Sequence, residues 1–187
     1  MKQQLLLFTL ISLLALQVQS CKKSGSDDTT TTAATTLFFQ DYVNGTLWTP
    51  TTNNTVLTYN ATAKTKTLIC TATNISNYDK LVFSIVIAAA NAADNTFTPQ
   101  TYAVDGSAVT AMYYVLNANN IYTAVGKLTG GSIVISTFDS TANTMTGTFN
   151  FSFIKNNYDT YGNVMSITSN GITAGQFNNL PFTFVKQ

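Results

Sequence analysis

Polar and apolar residues alternate along most of this chain, most clearly in NTMTGTFNFSFI, residues 143–154. In an extended strand, Met145, Gly147, Phe149, Phe151 and Phe153 share one face, while Thr144, Thr146, Thr148, Asn150 and Ser152 share the other. Phenylalanines on one face require a core, and small polar residues opposite them imply water, so this strand covers one side of a layered structure. LVFSIVIAAA, residues 81–90, is apolar on both faces apart from Ser84. It reads either as a central strand between two layers or as a short buried helix, and Val82, Ile85, Val86 and Ile87 favour strand. AAANAAD, residues 88–94, is the one candidate for a brief helix.

Turn residues punctuate the rest at short intervals. Asn44-Gly45 fits a type I′ hairpin joining LFFQDYV, residues 37–43, to TLW, residues 46–48. SIVISTF, residues 132–138, then DSTAN, then the phenylalanine strand predicts a second hairpin. Further strands are expected at 56–60, 66–73, 102–104, 109–117, 121–125, 163–169 and 180–185. The pattern predicts about 11 to 12 strands with short connections, which favours antiparallel pairing. Residues 37–187 are therefore expected to form a single all-β domain, an antiparallel β-sandwich, with a flattened up-and-down β-barrel as the alternative.

Residues 1–36 break this pattern. Met1 and Lys2 precede the apolar run LLLFTLISLLAL, residues 5–16, followed by a polar exit at residues 17–20. That is the layout of an export signal over residues 1–20. The apolar run makes a helix of about 18 Å, short of the ~30 Å hydrocarbon thickness of a bilayer. Val18-Gln19-Ser20-Cys21 resembles a bacterial lipobox, with Gln19 departing from the usual small residue. Ordinary secretion after a small-residue cleavage site competes with it. Lipidation of Cys21 is favoured because the cysteine sits where the apolar run ends and a linker starts. KKSGSDDTTTTAATT, residues 22–36, has no large apolar residue and reads as a disordered tether. If Cys21 carries lipid, Cys70 is left alone as a small buried residue; if not, a Cys21–Cys70 bridge becomes possible.

Charge narrows the chemistry. The chain has nine Lys and eight Asp, with no Arg, Glu or His; without Lys2 the balance beyond residue 20 is 8 − 8 = 0. A neutral chain without arginine is a poor nucleic-acid binder. Without histidine it lacks the usual general base and metal ligand. Asp41, Asp79, Asp94, Asp105, Asp139 and Asp159 read as turn aspartates capping local backbone rather than as a hydrolytic pair. Asp139 to Asn143 lacks calcium-loop spacing and reads as a hairpin turn. No metal, no cofactor and no catalytic residue is expected.

NGTLW (44–48), TGTFNF (146–151) and ITAGQFNNLPF (172–182) resemble the NGxxW, SGTFxF and ITxGxFxxxP motifs of a family of Bacteroidota lipoproteins. Order and spacing agree from about residue 39 to 184, and PQTYAV, residues 99–104, departs from the family's mid-domain Gly-Thr-Tyr at Gln100. KKSGSDD also looks like the charged tract of surface-exported lipoproteins. The resemblance implies an all-β domain held by its lipid at the outer membrane and exposed at the surface, with periplasmic-facing or secreted placement as alternatives. It brings no catalytic residue. Physically, its motifs supply a turn at Asn44-Gly45, close backbone approach at Gly147, and a strand locked by Phe177 and Pro181.

A non-catalytic binding module for glycan or protein is the leading functional expectation. Its candidate contacts are Trp48, Tyr113, Tyr114, Tyr158, Asp159 and Tyr161, because flat aromatic faces beside Asn and Thr suit sugar stacking or protein anchoring. NNYDTYGN, residues 156–163, is the best single loop. The rival expectation is an accessory subunit of an envelope complex, assembled through an open strand edge. An Asp-based hydrolase ranks last.

Overall fold

The computed structural model describes residues 38–89 and 94–187. Twelve strands form: β1 (Phe38–Val43), β2 (Thr46–Trp48), β3 (Thr52–Asn60), β4 (Thr65–Asn74), β5 (Asp79–Ala88), β6 (Thr101–Ala103), β7 (Val109–Leu116), β8 (Tyr122–Ala124), β9 (Lys127–Asp139), β10 (Thr144–Tyr158), β11 (Val164–Pro181) and β12 (Thr183–Lys186). They build two six-stranded sheets, β2-β1-β11-β10-β9-β6 and β12-β3-β4-β5-β7-β8. All pairs are antiparallel except β12 with β3. The sheets do not close on each other, so the architecture is a sandwich and not a barrel.

Alternation places the core. On β10 the residues from Met145 to Phe153 on the odd positions are buried and Thr148, Asn150 and Ser152 are exposed. Phe83 of β5, in the opposite sheet, meets Phe149, Phe151 and Phe177 at 5.7, 6.2 and 6.2 Å between ring centroids. These rings join the two layers, and each fully buried phenylalanine is worth about 1.5–3 kcal/mol in transfer from water. The 81–90 segment is strand to Ala88; residues 90–93, in the expected brief helix, lie outside the described residues.

Asn44 and Gly45 take φ of 51° and 82°, the left-handed pair a type I′ turn requires. Aspartates hold other turns: Asp139 accepts the N–H groups of Thr141 and Ala142, and Asp105 those of Ser107 and Val109. Asp41 and Asp79 depart from the turn reading; both lie buried, on the core faces of β1 and β5. Lys66 is buried too, and its Nζ donates to Asp94 Oδ1 at 2.7 Å and to the Thr96 carbonyl at 2.6 Å.

Cys70 points into the core from β4, wholly enclosed, and burial pushes its thiol up to about 12. We expect it to resist a thiol-specific alkylating reagent in the native protein and to react on addition of denaturant. Reaction of Cys70 at the same rate with and without denaturant would contradict the enclosed position.

Candidate functional site

β10 and β11 are longer than their neighbours. On one side β9 accompanies β10 only as far as the Ile154↔Lys127 rung; on the other, β1 accompanies β11 only as far as Val43↔Ile172. Beyond those rungs the two strands have only each other, through Lys155↔Thr168, Asn157↔Ser166 and Tyr158↔Val164. The result is a two-stranded arm, residues 155–171, whose rungs run about 13 Å past the last β9 pairing. The chain enters the described domain at Phe38, across from Asn178, and β1 runs from there toward the arm. The arm thus leaves from the end of the sheet remote from Phe38.

Two devices make this arm definite. At its root, the Asn44 backbone N–H donates to the Gly171 carbonyl at 2.8 Å, and Asn44 Oδ1 accepts from the Gly171 N–H at 2.8 Å. Asn44 Nδ2 adds a bond to Asn170 Oδ1 at 2.9 Å. At the tip, Asp159 Oδ1 accepts from the N–H groups of Tyr161 and Asn163, both at 2.8 Å, and Oδ2 from Asn163 Nδ2 at 3.0 Å. The Asn163 side chain and these backbone donors hold the Asp159 carboxyl below its ordinary range. Its oxygens are spent on the turn, so Asp159 shapes the tip and is not free for a ligand.

Polarity inverts along the arm. The face that carries Phe149, Phe151 and Phe153 inside the sandwich continues with Lys155 and Asn157. Asn157 Nδ2 reaches Ser166 Oγ at 3.0 Å and Thr168 Oγ1 at 2.9 Å on that face. The opposite face carries Ile154 and Tyr158, with Ile167 across from Asn156 and Val164 across from Tyr158. Met165 occupies the bulge beside Tyr158. Tyr158 is 61% exposed and Tyr161, at the tip, 89%. Val164, Met165 and Ile167 are exposed as well. Together these side chains form an exposed apolar patch along one face of the strand pair, the kind of surface that marks interaction sites in other proteins.

A cleft of about 310 Å³ lies at the root of the arm, lined by Gly126, Lys127, Ile154, Lys155, Asn156 and Tyr158. Two smaller clefts, of about 260 and 200 Å³, share Lys127 with it and reach Met112 and Asp105.

The other expected contacts separate from this region. Trp48 and Tyr113 are 3% and 6% exposed and belong to the core, which corrects the expectation that they meet a surface ligand. Both bind Asp79: the indole N–H reaches Oδ1 at 2.7 Å and the tyrosine hydroxyl reaches Oδ2 at 2.7 Å. Asp79 so ties β2 of one sheet to β7 of the other. Burial, then the neighbouring Asp79, pushes the Tyr113 hydroxyl well above its ordinary value. Tyr114 is half-buried on the outer face of the second sheet, where Lys80 Nζ lies 4.7 Å from its ring and 4.4 Å from that of Tyr122. Of the six expected contacts, the fold brings together Tyr158, Asp159 and Tyr161.

Asp41 caps no turn. It is fully buried, neither carboxylate oxygen meets a donor, and burial, then the nearby Asp79, raises it to about 7. The signal was present, since alternation from Phe39 puts Asp41 on the inward face. The Asp41–Asp79 pair lies inside the sandwich and lines none of the three clefts. Among the described residues no three His, Cys, Asp or Glu side chains converge as a metal site. No family model, characterised protein or solved structure matches this chain.

Proposed function

We propose that this protein is a lipid-anchored, exported binding module that engages a protein partner through the β10–β11 arm. The observation that carries the reading is the arm itself: a two-stranded ribbon that runs on past the flanking strands of its sheet, with aromatic and aliphatic side chains exposed along one face. Isolated sugar-stacking sites need a flat ring flanked by free polar groups. Here Asp159 is consumed by the turn and Ile167, Val164 and Met165 surround Tyr158, a composition closer to the anchors of protein interfaces.

The anchoring half of the reading is supported by the sequence alone. Cys21 and the tether lie outside the described residues, and the lipobox-like VQSC and the resemblance to Bacteroidota lipoproteins favour attachment to the outer membrane, facing the surface. Tethering before Phe38 leaves the arm at the far end of the domain, where a partner outside the membrane has access. Mass spectrometry of the mature N-terminus tests this half; an unacylated Cys21 overturns it.

For the contact half, cross-linking and affinity capture with the wild-type protein should recover a defined protein partner. Tyr158→Ser with Tyr161→Ser should weaken that capture about tenfold or more, as loss of anchor side chains does. A glycan array run in parallel should stay silent. A glycan hit abolished by the same two substitutions would replace the protein reading with a carbohydrate one. Capture unaffected by them would remove the arm from consideration.

A further inference from the structure

The parity of the arm's backbone says more than its side chains. The Gly171 N–H and C=O face β1, since both bond to Asn44. In an antiparallel strand successive residues turn these groups to opposite sides, so those of Asn170, Thr168 and Ser166 face β10. Their rung partners, Phe153, Lys155 and Asn157, face back toward β11. The intervening residues, Ile154, Asn156 and Tyr158, therefore turn their main-chain groups the other way, toward the β9 side. Ile154 finds Lys127 there. Asn156 and Tyr158 find no strand, because β9 begins at Lys127.

Gly126 explains why the position is vacant. A Cβ on Gly126 would stand 2.5 Å from the Ile154 carbonyl oxygen, so the chain touches β10 there with bare backbone. One residue earlier, the Val125 N–H already bonds the Tyr113 carbonyl in the other sheet. The chain crosses between layers at this point and leaves the β10 edge open. The 310 Å³ cleft occupies the place that a longer β9 would fill.

The surroundings of that edge are basic. Lys127 and Lys155 both line the cleft and both are exposed. Among the described residues neither is in an ion pair; the pairing in this fold is Lys66 with Asp94. Asp159 and Asp105, the latter lining a neighbouring cleft with Lys127, bond to the N–H groups of their own turns and form no ion pair with either lysine. Two lysines outside any ion pair beside an open strand edge favour one kind of occupant.

Resting on the reading of the arm as a protein-binding element, we infer that the β10 edge at Asn156 and Tyr158 receives an extended, acidic segment of the partner. It adds as a strand in the line that β9 vacates, with main-chain bonds to Asn156 and Tyr158 and carboxylates meeting Lys127 and Lys155. Main-chain bonds supply affinity in this mode, and the lysines select for acidic side chains. Tyr158 forms the wall of the cleft against which the added strand lies.

A fluorescent peptide alternating Asp with Val and Thr is the probe, compared by anisotropy at low salt with its Lys-for-Asp counterpart. The acidic peptide should bind the intact protein and the basic one should not. Lys127→Ala and Lys155→Ala should each weaken binding about threefold to tenfold, and raised salt should do the same. Asn156→Pro removes an N–H that faces the open edge and none that holds β10 to β11, so it should abolish binding while the circular dichroism spectrum is kept. Equal binding of both peptides, no binding of either, or full binding to the Asn156→Pro protein with its spectrum intact would each overturn the inference. If the peptide fails yet Tyr158→Ser with Tyr161→Ser still destroys partner capture, the arm remains the contact element and strand addition alone is excluded.

Discussion

Asp41→Asn is expected to stabilise the protein at about pH 8 and to flatten its stability across the pH range between about 4 and 7. The carboxyl is fully buried without a hydrogen-bond donor, and burial, reinforced by Asp79, lifts it from 3.8 to about 7. Below 3.8 Asp41 is neutral in the folded and unfolded chain alike and contributes no pH dependence. Between 3.8 and about 7 the unfolded chain gives up this proton while the folded chain keeps it. The native state then binds more protons than the unfolded one, so stability falls as pH rises, by up to about 4 kcal/mol in all. This is opposite in sign to Asp105 and Asp159, whose hydrogen bonds hold them below the ordinary range and which lose stability as pH falls. The difference between wild type and Asp41→Asn reads this group together with its coupling to Asp79. The titratable groups facing it are Asp79 from β5 and, through Asp79, Tyr113 from β7. Urea unfolding at several pH values reads the effect: a difference that is constant from pH 4 to 8 would mean that Asp41 ionises as it would in water.

Strands with unbroken alternation were legible from the sequence, and those that break it were not. β10 declares its faces residue by residue, and β5 declares itself by apolar content. β11 does not. Its buried positions run Ile172, Gly175, Phe177, Leu180, a spacing that fits neither strand nor helix. The structure supplies the reason: Ala174 and Asn179 adopt φ of 49° and 47°, and the pairing with β10 shifts register around both, so each insertion switches which side faces inward. Alternation alone therefore predicts one strand ending near Ser169 and another starting near Leu180, where a single strand is continuous from Val164 to Pro181.

The site divides in the same way. Tyr158, Asp159 and Tyr161 are close in sequence, and a local turn was enough to find them. The open β10 edge depends on where β9 begins, which the Gly126 contact with Ile154 decides across 28 positions of sequence (154 − 126). No window along the chain carries that information. Trp48, Tyr113, Asp41 and Asp79 illustrate the converse. Aromatic type alone offered the first two as surface contacts, whereas strand parity from Phe39 and Leu81 turns both aspartates inward, where Asp79 accepts from both aromatics.

Gly147→Ala is expected to destabilise the fold more than any single methyl truncation in the core. The added Cβ would stand 2.0 Å from the Val134 carbonyl oxygen and 2.6 Å from Phe177 Cζ. Phe177 is hemmed in by Phe83, Phe149 and Phe39, whose centroids lie 6.2, 6.3 and 6.4 Å from its own, and Val134 belongs to the β9 backbone that pairs with β10. Relief therefore requires β9 to part from β10 in the middle of the sheet. Overpacking of this kind costs about 3 kcal/mol or more, at the upper end for a single methyl. Gly171→Ala is the matched comparison: no heavy atom lies within 4 Å of the Cβ there, in the same sheet at the root of the arm. Its cost should be below about 1 kcal/mol. Denaturant midpoints of the two variants measure the contrast, and equal midpoints would contradict the close approach of β9, β10 and Phe177.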